Sequence, residues 1–436
     1  MFGHAKPRQL PELATFCVTS PVHRLASGFV VYSTLEQSGL RDKQRTEPWE
    51  MQSLRCRVNL LISDTGGGHR ACAQALREAL LLRAPHLDIA VVDGLRETGR
   101  YPLDRMPELY TRWSEKRNLW RTTFHLSNGR RLSNALFYPW QKFSARQLRA
   151  AILRGNPALV VNMHPCLAAS SIYFAKRAPV RPRVATVVTD LIYGHASWFQ
   201  HGADDYFVPT DIMARRAHRM GIPDDKIHLS GLPLAARLSS LSCNRDTLRQ
   251  DLGFHQPTVV CVGGADGMGI QRIASALTQI PPHISVHIVC GKNTSLQDSL
   301  LGRQLPQNFT IHGFSKQLPE MLAAADLALI KASPTVLMEA LSVGTFVLLY
   351  DYVPGQESGN VRFVREHGLG DYSRSPRTIV SKIIDYLGQG ERPIPPSLGS
   401  ILPLDGAGFI SERLLQDLLF QHGEGVPSIA REHPGR

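Results

Sequence analysis

Short apolar runs rich in β-branched residues recur along the chain from residue 58 onward, each followed by a polar or glycine-containing loop and then by helix formers. In the first half they fall at 58–62, 89–92, 159–161, 184–188 and 206–208, and in the second at 259–262, 285–289, 309–311, 327–330 and 345–349. Strand, crossover helix, strand is the signature of a parallel sheet covered by helices on both faces. The pattern predicts an α/β protein with two Rossmann-like halves of similar size facing a central cleft, with ligands beyond the carboxyl ends of the strands. Gly231-Leu232-Pro233 ends the first half. The expected division is an extension over 1–54, a first domain over 55–235, a second over 236–395, and a Pro- and Gly-rich, partly irregular tail over 396–436.

The first run empties into Ser63-Asp64-Thr65-Gly66-Gly67-Gly68-His69-Arg70, and helix formers continue from Ala71. Glycines at such a turn let the backbone approach a bulky or phosphorylated ligand and leave the next helix N-terminus pointing at it. His69 then sits at the helix mouth, where an imidazole titrating near neutrality is placed to take a proton from an incoming hydroxyl. No Gly-Lys-Ser/Thr follows, which argues against a P-loop, and three consecutive glycines fit the GxGxxG spacing poorly. Taken alone, the motif also suits a tight strand-to-helix turn with a solvated histidine.

In the second half, Gly263-Gly264-Ala265-Asp266-Gly267-Met268-Gly269 repeats the device after the run at 259–262. Its backbone N–H groups make a cradle that fits a diphosphate, though an ordinary glycine-rich connection would read the same way. Ser333 and Pro334 stand where an N-cap and a first-turn proline belong, which puts Glu339 about one and a half turns into a helix. A carboxylate there accepts both hydroxyls of a ribose or simply faces solvent. The polar loop at 351–360 carries Gln356 and Glu357, groups that suit sugar hydroxyls.

Composition narrows the partners. A chain of 436 residues with 43% hydrophobic and 20% charged content is globular and long enough for two domains. A formal charge of +12 favours an anionic partner, whether nucleic acid, a membrane surface or a phosphorylated substrate. The 7 cysteines include no CxxC pair, so neither a zinc site nor a disulfide framework is indicated and a reducing compartment is expected. No apolar run reaches the roughly 18 to 20 residues of a membrane-spanning helix, so any membrane contact is expected at its surface.

Between residues 100 and 149 eleven Arg or Lys stand against three acids, and Trp113, Trp120 and Trp140 lie among them. Basic residues interleaved with aromatics suit an interfacial segment on an anionic bilayer, or else a core beneath a solvated basic face. No nucleic-acid-binding motif appears, which makes nucleic acid the poorer partner. The first 35 residues hold a single acid, Glu12, as a transit peptide would; the acids from Glu36 onward and Met51 before the first strand suit a later start equally well.

In order along the chain, SDTGGGHRA at 63–71, YPLDRM at 101–106, VVTDLIYGHASWF at 187–199, GLPL at 231–234, GGADGMG at 263–269, VCGKN at 289–293, HGF at 312–314 and DYVPGQESGN at 351–360 resemble the monogalactosyldiacylglycerol synthases. More distantly they resemble other inverting lipid glycosyltransferases of the same GT-B family, and the likeness spans residues 56–390. It implies an enzyme that moves galactose from UDP-galactose to the free hydroxyl of diacylglycerol with inversion, using no cofactor and no obligatory metal. His69 matches the catalytic base. Phe314, Gln317, Leu318, Pro319, Glu320 and Met321 match the uracil pocket, and Glu339 matches the ribose acid, followed by Ala340, Leu341 and Ser342. Gln356 and Glu357 match the sugar loop, Gly68 and Gly264 lie in the two glycine turns, and Arg237 is a candidate for the diphosphate. On the acceptor side Pro102 falls in the segment linked to anionic phospholipid, beside Trp113, Trp120 and Trp140.

The departures from the family pattern are local. Ser333-Pro334-Thr335-Val336 stands where Gly-Pro-Gly-Thr is usual, and Ala265 and Asp266 replace a glycine and a glutamate. Backbone N–H donors survive, so UDP binding is expected to persist, while discrimination between galactose and glucose is put in question. The alternative is a diacylglycerol glucosyltransferase, processive or not, that uses UDP-glucose. A UDP-sugar epimerase of the same architecture or a non-catalytic sensor would need no lipid, and His69 together with Glu339 favours the transferase. The expected location is peripheral or monotopic on a membrane, the plastid envelope in a eukaryote or the cytoplasmic face of the inner membrane in a bacterium.

Overall fold

The computed structural model describes residues 56–65, 67–129, 142–241, 244–388 and 392–421. Its strands are β1 Arg57–Ile62, β2 Asp88–Asp93, β3 Leu159–Asn162, β4 Arg183–Val187, β5 Asp205–Val208, β6 Ile227–Leu229, β7 Thr258–Val262, β8 Ser285–Val289, β9 Phe309–His312, β10 Leu327–Lys331, β11 Val347–Asp351 and β12 Gly370–Tyr372. They make two six-stranded sheets in the orders β2-β1-β3-β4-β5-β6 and β12-β11-β10-β7-β8-β9. All the pairings are parallel. Each apolar run of the sequence forms a strand, the last of them two residues later than expected. β6 and β12 were not expected. They are three-residue edge strands, Ile-His-Leu and Gly-Asp-Tyr, with no apolar run, and backbone pairing to β5 and β11 is what makes them strands.

The strand order fixes where the cleft opens. β1 lies between β2 and β3, and β7 lies between β8 and β10. The chain therefore departs to opposite faces on either side of these two strands, and such switch points leave a crevice at the strand carboxyl ends. Both glycine turns leave switch-point strands.

Helix α1, Gly68–Arg83, buries Cys72, Leu76 and Leu80 on one stripe and Ala75 and Ala79 beside it, the four-residue spacing of an amphipathic helix. That stripe joins an apolar core that includes Val58 and Leu60 of β1, Leu337 and Leu341 of the helix Pro334–Ser342, and Leu414. Leu414 belongs to the helix Gly406–Gln421, whose Ala407 packs on Ala75 and Ala79. Much of the tail expected to be partly irregular is thus helical, because Ile410, Leu414 and Leu418 recur every fourth residue and are buried.

Two short helices follow the turn at Pro102: α2, Met106–Glu115, and α3, Arg117–Ser127. They lean on the loop after β11. Arg117 donates to Asp351 Oδ1 at 2.6 Å and to the Tyr352 carbonyl at 2.7 Å. A Cβ on Gly355 would lie 2.8 Å from the Phe124 ring, so the loop and α3 are in close contact. Among the described residues no helix is long and apolar enough to cross a membrane.

Candidate active site

After β1 the chain turns through Gly67, at φ +80°, into α1, which starts with no side-chain cap. An L-residue is strained at that φ. Space is as tight as conformation: a Cβ on Gly67 would lie 2.8 Å from Ala265 Cβ, and one on Gly68 would lie 2.8 Å from Thr335 Oγ1. The first glycine turn therefore touches the loops of the second sheet directly. Both contacts are made by residues that depart from the family pattern.

His69 is the second residue of α1. Its Nδ1 lies 2.9 Å from Thr189 Oγ1, just past β4. Its ring meets that of His164 edge-on with centroids 4.7 Å apart, and the Trp198 ring lies at 6.2 Å. Burial among these groups pushes its pKa from 6.5 down to about 4, against the opposing pull of the Met163 backbone and the Asp64 charge. The imidazole is therefore neutral near pH 7 and able to accept a proton. His164 sits 3.2 Å from Thr65 Oγ1 and accepts the Cys166 N–H at 3.3 Å, and burial holds its pKa well below the usual value. Asp64 accepts two hydrogen bonds from Arg70 at 2.7 and 2.8 Å, and that pairing lowers its pKa.

Beside Thr189, the buried Asp190 accepts from Trp198 Nε1 at 2.7 Å and from Gln356 Nε2 at 3.1 Å. Burial raises its pKa to about 6. Gln356 Oε1 in turn accepts from Tyr110 Oη of α2 at 3.2 Å. The neighbouring Glu357 is buried, paired with Lys331 at 3.1 Å and accepting the Val353 N–H at 2.6 Å, so its carboxylate pins the loop to the end of β10.

Across the cleft, Gly264, Gly267 and Gly269 all have positive φ, at +72°, +65° and +81°. The helix Ile270–Leu277 starts from Gly269 with no side-chain cap. The N–H groups of Gly267, Met268 and Ile270 close the turn on the Gly264, Gly263 and Gly267 carbonyls, while those of Ala265 and Asp266 have no partner among the described residues and can attract an anion. Burial raises the pKa of the half-buried Glu339 from 4.5 to about 7, opposed by the charge of Arg237. Arg237 donates to Glu320 Oε1 at 3.0 Å and to the Lys316 carbonyl at 3.2 Å, which brings it, Glu339 and the 314–321 segment to one corner.

The other expected donor residues divide. The Phe314 ring is 63% exposed with Lys292 Nζ 5.9 Å from its centroid, Gln317 is exposed, and Leu318, Pro319 and Glu320 are half-buried. Met321, Ala340 and Leu341 turn their side chains into the apolar core. Ser342 Oγ is buried without a partner among the described residues. On the acceptor side Pro102 is half-buried, and Trp113 is 51% exposed. Trp120 packs edge-on against Tyr110 at 5.1 Å. Trp140 lies outside the described residues.

Thr189, Asp190, Trp198, His164 and Tyr110 had no expected role. The available signal was position: Thr189 and Asp190 directly follow the run at 184–188, and His164 follows that at 159–161, so all three stand at carboxyl ends of strands near the switch point.

The family model described as monogalactosyldiacylglycerol (MGDG) synthase matches residues 69–234, and that described as glycosyl transferases group 1 matches residues 244–392. The chain is 30% identical over 383 residues to "Monogalactosyldiacylglycerol synthase 3, chloroplastic" of Arabidopsis thaliana, covering 84% of this chain and 82% of that one. It is 32% identical over 339 residues to "Probable monogalactosyldiacylglycerol synthase 2, chloroplastic" of Oryza sativa subsp. indica, covering 75% and 72%. Among solved structures, the UDP-GlcNAc 2-epimerase of Methanocaldococcus jannaschii in complex with UDP-GlcNAc and UDP has a TM-score of 0.52 at 13% identity, over 83% of this chain and 99% of that one. The UDP-GlcNAc 2-epimerase of Neisseria meningitidis bound to UDP-GlcNAc has a TM-score of 0.51 at 14% identity, over 83% and 100%. At that identity the likeness is one of fold, two Rossmann-like domains in the GT-B arrangement. The relatives carry the family: this chain belongs to the monogalactosyldiacylglycerol synthases, glycosyltransferases of GT-B fold.

Proposed function

We propose that the protein transfers galactose from UDP-galactose to the free hydroxyl of diacylglycerol at a membrane surface, with His69 as the base. The observation that carries this reading is the placement of His69: neutral near pH 7, held at 2.9 Å by Thr189, and directly after the two glycines that close on Ala265 and Thr335 of the second half. With the Nδ1 proton donated to Thr189 Oγ1, Nε2 keeps its lone pair for the acceptor hydroxyl. Nε2 takes the hydroxyl proton as the acceptor oxygen bonds to the anomeric carbon, and the bond from that carbon to UDP breaks with its electron pair leaving on the diphosphate. The N–H groups of Ala265 and Asp266, which the turn leaves unpaired among the described residues, receive that charge. Glu339 takes the ribose hydroxyls, Arg237 stands in the same corner, and Gln356 serves the sugar. In this reading the first domain spans 55–235 and the second 236–395.

The membrane face of the proposal rests on α2 and α3. Trp113, Leu119 and Leu126 are exposed there, with Arg112, Lys116 and Arg121 exposed among them, and the exposed Phe143 and Tyr101 extend the apolar surface. Apolar tips ringed by cations suit an anionic bilayer. Since the relatives are named chloroplastic, the surface proposed is that of the plastid envelope.

The test is glycolipid formation on vesicles of diacylglycerol and an anionic phospholipid, with labelled UDP-galactose or UDP-glucose in parallel. A single galactosylated lipid, absent with His69→Ala, supports the proposal. Glucosylated or multiply glycosylated lipid would move the enzyme to the glucosyltransferase reading, and product from His69→Ala would remove His69 as base.

A further inference from the structure

The amide of Gln356 is held at both ends. Asp190 receives the Trp198 N–H on one oxygen and Gln356 Nε2 on the other, at 2.7 and 3.1 Å, and a carboxylate only accepts. That fixes the amide nitrogen toward Asp190 and the amide oxygen toward the Tyr110 hydroxyl, which donates at 3.2 Å. A side-chain amide has two N–H groups and two lone pairs on oxygen. Among the described residues one of each is engaged here, leaving one N–H and one lone pair. A sugar hydroxyl, which both donates and accepts, matches that remainder.

The anchors come from separate parts of the fold: Tyr110 from α2, Asp190 from the loop just past β4, and Gln356 from the loop after β11. Thr189 and Asp190 are adjacent, so one dipeptide holds His69 on one side and Gln356 on the other. We propose that Tyr110 and Asp190 are positioning residues for the donor sugar, orienting the Gln356 amide so that its remaining N–H and lone pair meet a hexose hydroxyl while Thr189 sets the base. This rests on the UDP-sugar reading above.

The test is calorimetric titration of the full chain with UDP and, separately, with UDP-galactose, for wild type, Tyr110→Phe, Asp190→Ala and Asp190→Asn. The ratio of the two dissociation constants reads the sugar contacts alone. Tyr110→Phe is expected to shift that ratio about fivefold against UDP-galactose, the worth of one hydrogen bond, with UDP affinity unchanged. Asp190→Ala is expected to shift it further. Asp190→Asn should recover much of the loss, because the chain of donors can reverse: Trp198 to the Asn oxygen, the Asn N–H to Gln356 Oε1, and Gln356 Nε2 to the Tyr110 oxygen. Adding Tyr110→Phe to Asp190→Asn should then cancel the recovery. Asp190 is buried, and the half-buried Tyr110 carries the test if Asp190→Ala does not fold. A ratio unchanged in Tyr110→Phe, or equal weakening of UDP and UDP-galactose, would overturn the inference. Wild type that binds neither ligand would overturn the donor reading and this inference with it, whereas wild type that binds both while every variant keeps its ratio would overturn the inference alone.

Discussion

The glycine turn after β1 and the one after β7 both leave switch-point strands, and both enter a helix from an uncapped glycine, at φ +80° for Gly67 and +81° for Gly269. They differ in what stands next to them. The first places His69 directly after Gly68 and walls it with Thr189, His164 and Trp198. The second is followed by Ile270, fully buried, and leaves the backbone N–H groups of Ala265 and Asp266 without a partner among the described residues. In the proposed reading one backbone device serves proton transfer where a shielded imidazole follows it and anion binding where amides do. The glycines supply access, and the neighbours supply the chemistry.

The largest effect is expected from breaking the first turn's chemistry. His69→Ala should lower kcat by about 10²–10⁴-fold, as loss of a general base does, with UDP affinity by calorimetry unchanged. Burial of His69 also sets the pH profile: with a pKa of about 4 the imidazole stays neutral through the neutral range, so in a Glu339→Gln background, which removes the carboxyl that titrates near 7, kcat/KM should fall on the acid side only as pH drops toward 4. An acid limb centred near 6.5 would show that the ring is solvated in the working enzyme.

Next comes the contact between the turns. Gly68→Ala drives a Cβ to 2.8 Å from Thr335 Oγ1, so the turn carrying His69 or the start of the facing helix must shift, and activity should fall about tenfold or more through misplacement. Thr335→Gly in the same chain should restore it. Failure of that rescue would mean that Gly68 is needed for something other than the close approach.

On the donor side Glu339→Gln is expected to weaken UDP binding about tenfold through loss of a charged acceptor. It should also change stability in a pH-dependent way. The folded pKa of about 7 lies above the ordinary 4.5, so the stability linked to this proton is present below 4.5 and is lost as pH rises through about 7. The variant should therefore melt with wild type at pH 4 and above it at pH 8. The smallest effect is expected at the surface: Trp113→Ala should reduce binding to anionic vesicles a few-fold without changing UDP affinity.

The elements differ in how far their own sequence marks them. The long strands are marked, because a strand covered on both faces must be apolar throughout and so appears as an unbroken run. β6 and β12 are not, because an edge strand of three residues owes its existence to its partner's backbone. The turn that carries His69 was legible as a turn because glycines stand between an apolar run and helix formers within a few residues. Tyr110 and Gln356 lie 246 residues apart, and nothing local in either segment marks the other.

By itself, then, the sequence determined the two parallel sheets, the two glycine turns and the kinds of residue that follow them, because apolar runs and positive-φ turns are governed by contacts within a few residues. Only the tertiary structure decided that Ala265 and Thr335 close on Gly67 and Gly68, that Thr189 holds His69 while Asp190 holds Gln356, and that burial lowers the pKa of one group and raises that of another. Those outcomes depend on which distant segments exclude water from each group, and desolvation is a property of the assembled site rather than of any stretch of chain.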